Sequence, residues 1–417
     1  MAIIETAGFQ SAETAEELLI DIAHRVQLSA TKHDLAVGHY EALCKYVDRP
    51  GSPLEGLVVT CYPSGSFGIG AVVASKVKTN QHDLDVVIEL NVPITTPAVI
   101  VLMQLFQAIR GEEGSRYYHK TTLNSRCVTV EYDDGFKVDL MPIVRDQSLV
   151  ERRGVLFHYK DGEGYTKPVN PYGFRTLYNA TVKTDPTFVT EFRKSLTERT
   201  VAKAETEPMD DLVRLEEKSP RTVALQLLKR MRDVRYRRPS HKGRRKPPSV
   251  MLAAYALQKP IPRHSLLWEL IDQIKFVGDA LAQATAETSL VDVRNPAWSE
   301  DRFTDRWPAS MDDQCGFERD LRELGAKLET VARDAFSPVN TKAILEELFG
   351  ETAADYAINE AMVRKSRQAD RGELKFGQTG QVLAGAAAAA APASRARSAE
   401  HTSELQSRRN VVCRLLP

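Results

Sequence analysis

The chain lacks several features that mark large classes of protein. Its 417 residues include only 5 cysteines, scattered without a CxxC pair or a Cys/His cluster, which disfavours a structural zinc site and indicates a reducing compartment. No apolar run approaches the roughly 18 residues that span a bilayer. The first residues also lack a basic segment followed by an apolar one. These absences predict a cytoplasmic location and no membrane partner.

Net charge is absent as well. The 56 Lys and Arg residues balance 56 Asp and Glu residues, so no overall electrostatic field draws the chain towards nucleic acid. Basic residues are concentrated at 229–246, in the segment KRMRDVRYRRPSHKGRRK. The helical start of this segment could contact a triphosphate, whereas a solvated basic loop explains 235–246 equally well.

What is present is an ordinary globular composition, with 42% hydrophobic and 27% charged residues. Apolar residues recur with helical periodicity over 12–48. Strands and short helices follow to about residue 190, including a hairpin that turns at DDG, 133–135. A helical region comes next, beginning with an N-cap and proline at 219–220. Within it, helices are predicted over 249–258, 264–284, 316–334 and 339–349.

The end of the chain has a different character. From about residue 366 the structure signals fade, and an alanine-rich run of low complexity indicates a linker. The later stretch RSAEHTSELQS resembles the in-frame translation of a sequencing adapter. We therefore interpret roughly the last 20 residues as an assembly artefact and exclude them from functional reasoning.

Three aspartates interrupt apolar segments that are predicted to be strands. Asp83 and Asp85 open the strand that continues to Leu90, and the period of two places both on one face. Asp139 lies in VDLMPIV, and we expect an antiparallel neighbouring strand to bring it to the pair. Asp is depleted in strands, and Mg²⁺ compensates by taking one or two carboxylates plus phosphate oxygens. In isolation, a solvated strand edge is the commoner explanation of such a pair.

Gly65 and Ser66 precede these strands on a predicted turn. Glycine lets backbone approach a phosphate closely, and Ser66 offers a hydroxyl at a helix N-terminus. Alone, the pair is more often an ordinary turn, and it is not a Walker A loop. In the order turn, strand, strand, however, the residues predict two divalent metals held against a nucleoside triphosphate. Asp139 would then help to hold the catalytic metal and take up the proton of the attacking hydroxyl.

A nucleotide base also needs a surface on which to stack. Tyr159, Tyr165, Tyr172 and Phe174 lie in a stretch punctuated by glycine and proline after the third aspartate. An aromatic ring supplies such a surface for any base. Tyr165 is the predicted stacking residue, with core packing as the equal alternative.

These motifs resemble the DNA polymerase β-like nucleotidyltransferase superfamily. Within it the chain is similar to the bacterial CD-NTases (DncV-like enzymes), relatives of cyclic GMP-AMP synthase and oligoadenylate synthetase. PSGSFGIG, FKVDLMPIV, Asn170-Pro171, LQLLKRMRD and KPPSVMLAAYAL support the resemblance, which covers about residues 10–350. It implies an α+β fold with a mixed-sheet catalytic lobe and bracing N-terminal helix at 1–190. A helical lobe would follow at 191–365, and a disordered tail at 366–417.

The resemblance also implies an activity. Family members join NTPs into cyclic di- or trinucleotides, or linear oligonucleotides, that activate an effector in bacterial anti-phage defence, the CBASS systems. Two Mg²⁺ ions, or Mn²⁺ in their place, would be held by the three aspartates, and ATP is an expected substrate. Ser66 would contact the triphosphate beside Gly65, and Lys229 would grip the donor phosphates. The segment between Ser66 and Asp83 is longer than in many relatives and predicts an extended loop over the site.

Other functions use the same residues. A nucleotidyltransferase could instead modify an RNA, a protein or a small molecule. An inactive family member could serve as a binding or scaffold module, although the presence of all three aspartates counts against that role. Animal relatives sense nucleic acid, but the DNA-sensing relative uses a zinc-bound insertion. Since no Cys/His cluster exists here, we do not expect a nucleic-acid partner.

Overall fold

The computed structural model describes residues 2–74, 82–146, 152–183, 186, 218–371, 374–376 and 382–384. The described residues up to 362 belong to one compact unit, and those from 363 onwards belong to a second. In the second unit, strands β10 (Leu374–Phe376) and β11 (Val382–Ala384) pair antiparallel. The suspected adapter sequence, the predicted lobe boundary near residue 190 and most of the predicted loop before Asp83 lie outside the described residues. The predicted lobe limits therefore stay a prediction.

The N-terminal periodic stretch forms two helices, α1 (Ala2–Val26) and α2 (Ala30–Val47). The break has a local cause, because the Ser29 hydroxyl accepts a hydrogen bond from the Lys32 amide at 3.3 Å and caps α2. Helix α1 buries its apolar side chains in a helical core, whereas α2 packs with the sheet. The N-terminus thus contributes to both hydrophobic cores.

Seven strands form one mixed sheet. They are β1 (Val58–Pro63), β2 (His82–Leu90), β3 (Thr121–Leu123), β4 (Val128–Glu131), β5 (Phe136–Arg145), β6 (Gly154–Lys160) and β7 (Glu163–Val169). The order is β1-β2-β5-β4-β3, with β6 pairing to both β5 and β7. The hairpin predicted at 133–135 joins β4 to β5, and its Gly135 has a φ of 91°.

The expectation that an antiparallel strand brings Asp139 to the first two aspartates is wrong. Strands β2 and β5 run parallel, with His82 opposite Phe136 and Leu90 opposite Val144. The chain leaves β2, crosses over through helix α4 (Ala98–Arg110), and then forms β3 and β4 before it turns into β5. Neighbouring parallel strands need a long crossover connection. The path through α4, β3 and β4 is such a connection, and it lets β5 run in the same direction as β2.

The two faces of β2 enter different surroundings. Leu84, Val86 and Ile88 pack into the core that α2 and α4 share with the sheet. Val87 faces the other way, into a small apolar cluster that includes Ile143. Since side chains alternate along a strand, the aspartates that open β2 share the face of Val87.

The remaining described elements of the compact unit are mainly helices. They are α3 (Gly65–Gly68), α5 (Pro171–Thr181), α6 (Pro220–Arg235), α7 (Ser249–Gln258), α8 (Leu266–Ala286), α9 (Met311–Arg333), α10 (Pro338–Phe349) and α11 (Glu351–Asp370, ending in the second unit). Two short strands, β8 (Arg294–Asn295) and β9 (Trp298–Arg302), form a hairpin. The predicted helices between 249 and 349 and the α+β fold are confirmed. Among the described residues, none of the helices has the length and apolarity to cross a membrane.

Candidate active site

Asp85 and Asp139 occupy matching positions on neighbouring parallel strands, β2 and β5. Asp83 lies two residues before Asp85 on the same face of β2. All three side chains line one cavity of about 470 Å³, together with Gly65 and Ser66. The structure thus brings together the residues that the spacing predicted, through a parallel register.

Burial and the charges of neighbouring carboxylates raise the pKa values of Asp85 and Asp139. Burial, followed by the charges of Asp139 and Asp83, raises the pKa of Asp85 to about 6, and the Lys229 ammonium partly offsets this rise. Burial also raises the pKa of Asp139, although a hydrogen bond from Thr129 acts in the opposite direction. The site therefore holds more negative charge than its protein surroundings compensate.

Thr129 is a residue that sequence reasoning missed. It lies directly across the β4–β5 pair from Asp139, and its hydroxyl donates to Asp139 Oδ1. The Asn124 side-chain amide in turn donates to the Thr129 hydroxyl at 2.7 Å. This chain of hydrogen bonds holds the orientation of the Asp139 carboxylate. Its only sequence signal was the alternation of VTVEY in a predicted hairpin.

Gly65 permits the close approach of Asp85. It has a φ of 53°, in the left-handed region, and a Cβ at this position would overlap the Asp85 carboxylate. The Ser64 amide donates to the Asp85 carbonyl at 2.8 Å. The glycine is therefore needed for contact with a carboxylate, in addition to the phosphate approach that the sequence suggested.

Lys229 lies beside Ser66. Its Nζ atom donates to Ser66 Oγ and to the Ala71 carbonyl, each at 2.6 Å, and the residue is buried. Burial, followed by the charge of Arg232, lowers the pKa of Lys229 to about 7. An anion in the cavity would favour the charged ammonium, so this amine suits a triphosphate.

A second cavity of about 500 Å³ shares Ser66, Asp83, Lys229 and Ser249 with the first. Its remaining charged lining is mostly cationic and consists of Arg230, Arg232, Arg237, Lys246 and one carboxylate, Asp233. Basic residues from both ends of the predicted 229–246 segment therefore face this space. Such a lining suits a polyphosphate group.

Tyr165 is not brought to the carboxylate cavity. It lies on β7, is 50% exposed, and stacks on the His158 ring with centroids 4.4 Å apart. Its hydroxyl accepts a hydrogen bond from Arg126 at 3.2 Å. The aromatic rings that line the cavity are Phe174 and Phe303. Phe303 follows β9 in an irregular segment, where no periodicity could have singled it out.

The carboxylates fit a hydrated divalent cation that arrives with a nucleotide. Within the described residues, no group of three His, Cys, Asp or Glu side chains is gathered closely enough to enclose a metal ion. Mg²⁺ does not require such a cage, since it binds through one or two carboxylates and completes its shell with phosphate oxygens and water. Asp83, Asp85 and Asp139 provide hard oxygen donors around a shared cavity.

Comparison with known proteins gives a relative over most of the chain. No protein-family model matches it. Over 385 residues the chain is 32% identical to the cyclic dinucleotide synthase CdnG of Bradyrhizobium diazoefficiens, covering 91% of this chain and 90% of that protein. It is also 26% identical over 163 residues to a c-di-GMP synthase of Roseivirga ehrenbergii, covering 36% of this chain and 42% of that protein.

Solved structures agree with this assignment. The Bradyrhizobium diazoefficiens CD-NTase CdnG in complex with GTP superposes with a TM-score of 0.71 at 31% identity, over 84% of this chain and 98% of that one. Escherichia coli CdnC with ATP shares the fold, with a TM-score of 0.55 at 15% identity over 80% and 97% of the two chains. The resemblance that the sequence motifs indicated is confirmed, and the chain belongs to the bacterial CD-NTase family of nucleotidyltransferases.

Proposed function

We propose that the protein is a Mg²⁺-dependent synthase that joins two nucleoside triphosphates into a cyclic dinucleotide and releases one pyrophosphate for each of the two bonds formed. The observation that carries the proposal is the parallel register of Asp85 and Asp139, with Asp83 on the same cavity. Ser66 and Lys229 adjoin these carboxylates. The name of the Bradyrhizobium relative, a cyclic dinucleotide synthase, supports the same reaction.

Each residue has a distinct task in this reaction. Asp83, Asp85 and Asp139 would hold Mg²⁺, or Mn²⁺ in its place. When bound, the metal supplies Lewis-acid stabilisation of phosphate charge and lowers the pKa of a coordinated hydroxyl. Asp139, held by Thr129, is positioned to take up the proton of the attacking hydroxyl. Ser66 and Lys229 bind the triphosphate whose terminal two phosphates leave as pyrophosphate.

Family membership supports a signalling role. The cyclic product would act as a second messenger in the bacterial cytoplasm and switch on an effector during anti-phage defence. Its chemistry suits that purpose, since a cyclic dinucleotide has no terminal phosphate for phosphatases to remove. We propose no nucleic-acid or membrane partner.

Incubation with labelled NTPs tests the activity and separates it from transfer to an acceptor. The purified protein is given α-labelled NTPs with Mg²⁺ and no other acceptor, and the products are then treated with phosphatase. We expect a phosphatase-resistant dinucleotide, abolished by EDTA and by Asp83→Asn with Asp85→Asn. Asp133→Asn, at a side chain 90% exposed, is the matched control and should remain active.

Two results would contradict the proposed synthase activity. If no mixture of the four NTPs gives a resistant product, while label appears on an added RNA, protein or small molecule, then the enzyme transfers nucleotides to an acceptor. If the double variant retains full activity, the carboxylates do not perform the reaction.

A further inference from the structure

A short segment between helices α8 and α9 forms one wall of the carboxylate cavity. It comprises the β8–β9 hairpin and residues 303–306, and it supplies Asp301 and Phe303 to the cavity lining. It is anchored to the loop between β3 and β4, since Asp305 forms an ion pair with Arg126 and Arg306 donates a hydrogen bond to Ser125 Oγ at 2.9 Å. Asp301 and Phe303 therefore have fixed positions beside the reacting groups.

The two oxygens of Asp301 have different partners. Oδ2 accepts hydrogen bonds from the Asn170 amide and from Asn295 Nδ2, both at 3.0 Å. Oδ1 lies 3.8 Å from Lys167 Nζ, beyond hydrogen-bond distance. The residue is only 3% exposed. One oxygen is thus used to orient the carboxylate, and the other, in an ion pair with Lys167 that is too long for a hydrogen bond, keeps its capacity to accept one in a residue that lines the cavity.

Phe303 gives the same region an apolar ring. It packs edge to face with Phe174, with ring centroids 5.1 Å apart and planes at 81°. Val169 and Leu156 line the same cavity. A base could lie against these groups because aromatic and apolar surfaces take up the faces of bases irrespective of their sequence. Selection among bases must then come from the polar atom nearby.

A carboxylate can select a base by the pattern of hydrogen-bond donors and acceptors on the edge of that base. An ionised Asp can only accept hydrogen bonds. The Watson–Crick edge of guanine presents two adjacent donors, N1–H and the 2-amino group, whereas adenine presents an acceptor at N1. Burial, together with the charge of Asp305, raises the pKa of Asp301 above its ordinary value, and the hydrogen bonds from Asn170 and Asn295 and the charge of Lys167 limit that rise. In its ionised form, Asp301 therefore matches the Watson–Crick edge of guanine and mismatches that of adenine.

We propose that Asp301 Oδ1 accepts hydrogen bonds from the guanine of a bound GTP while Phe303 packs against its ring, so that the enzyme selects guanine for its product. The proposal rests on the function proposed above, which leaves the base open. Asp301 would then be a specificity residue that lies far along the chain from Asp83, Asp85 and Asp139.

The substitution Asp301→Asn makes a sharp test. The two donors at Oδ2 require the Asn carbonyl oxygen in that place, so the NH₂ group must replace Oδ1. The atom beside the cavity then changes from acceptor to donor, while the anchoring hydrogen bonds remain. Xanthine carries an acceptor, the C2 carbonyl, where guanine has its 2-amino group. The variant should therefore prefer XTP.

Binding is measured by calorimetry with GTP, XTP and ATP, with Ca²⁺ in place of Mg²⁺ to prevent turnover. We expect the wild type to bind GTP roughly 10- to 100-fold more tightly than XTP or ATP. The Asp301→Asn variant should bind XTP more tightly than GTP, the reverse of the wild-type order of affinities. Asp133→Asn, at an exposed side chain outside the cavity lining, should keep the wild-type preference.

Phe303→Leu separates stacking from selection. It should weaken the binding of all three nucleotides by a similar factor, about 10-fold, and leave the order of their affinities unchanged. The proposal is overturned if the wild type binds GTP and XTP equally, a result that requires no variant to fold. It is also overturned if a folded Asp301→Asn shows no gain for XTP. Selective GTP binding without any dinucleotide product would refute the synthase function instead.

Discussion

Lys229 and Ser66, separated by 163 positions in the sequence, are joined by a hydrogen bond of 2.6 Å between Nζ and Oγ. The contact links helix α6 to the short helix α3 that follows β1. Because the amine is buried and its pKa is lowered to about 7, only a fraction of it is charged at neutral pH. A triphosphate entering the cavity would change that balance.

The lowered pKa of Lys229 predicts proton uptake when an NTP binds. Near pH 8 the free amine is mostly neutral, and the bound phosphate raises its pKa, so up to about one proton should be taken up. Affinity should accordingly fall as pH rises above about 7. Calorimetry in buffers of different ionisation enthalpy measures the proton count. Lys229→Arg, permanently charged, should bind NTP without this uptake. The same uptake in the arginine variant would assign the proton to another group.

Gly65→Ala should abolish activity and lower stability. The left-handed backbone and the overlap with the Asp85 carboxylate together should cost about 2–4 kcal/mol in the free energy of unfolding. Gly70→Ala is the matched control, because Gly70 has a φ of 66° but no atom within 4 Å of the position that a Cβ would occupy. It should lose only about 1 kcal/mol from backbone strain. Urea denaturation of both variants measures the difference, and equal losses would show that the Asp85 contact is unimportant.

Asp85→Asn should abolish activity and increase the stability of the fold. It removes a half-buried charge that Asp83 and Asp139 repel, so in EDTA the variant should be about 1–2 kcal/mol more stable than the wild type at neutral pH. The sign follows from the raised pKa: the folded wild type binds more protons than the unfolded chain between pH 4 and 6, and loses stability as pH rises through that range. Thermal denaturation in EDTA tests this. A variant less stable than the wild type would contradict it.

Added Mg²⁺ should reverse the stability advantage of Asp85→Asn over the wild type. A bound cation neutralises the repulsion among the carboxylates, so Mg²⁺ with NTP should raise the Tm of the wild type and leave Asp85→Asn nearly unchanged. Asp133→Asn, on an exposed turn, should respond like the wild type. Equal shifts for the wild type and Asp85→Asn would place the metal elsewhere.

Tyr165→Leu should leave nucleotide binding nearly unchanged, because the ring stacks on His158 outside the cavity lining. We expect Kd values for GTP and ATP within about 2-fold of wild type, against the roughly 10-fold loss expected for Phe303→Leu. A large loss at Tyr165, with Phe303 tolerant, would restore Tyr165 as the stacking residue.

The sequence by itself determined the local features of the site. Strand alternation places Asp83 and Asp85 on one face whatever the rest of the chain does, and the serine and proline at 219–220 begin a helix through local hydrogen bonding. The order of these motifs was enough to indicate the family. These properties depend on neighbours a few residues apart, whose geometry the backbone restricts.

Only the tertiary structure decided which distant groups meet. Whether β5 runs parallel to β2, and hence which residue lies opposite Asp85, depends on the path of the chain through α4 and two further strands. Asp301 and Phe303 reach the cavity by way of a short hairpin that carries no periodic signal. Contacts of this kind arise from packing and chain topology, which no local window of sequence contains.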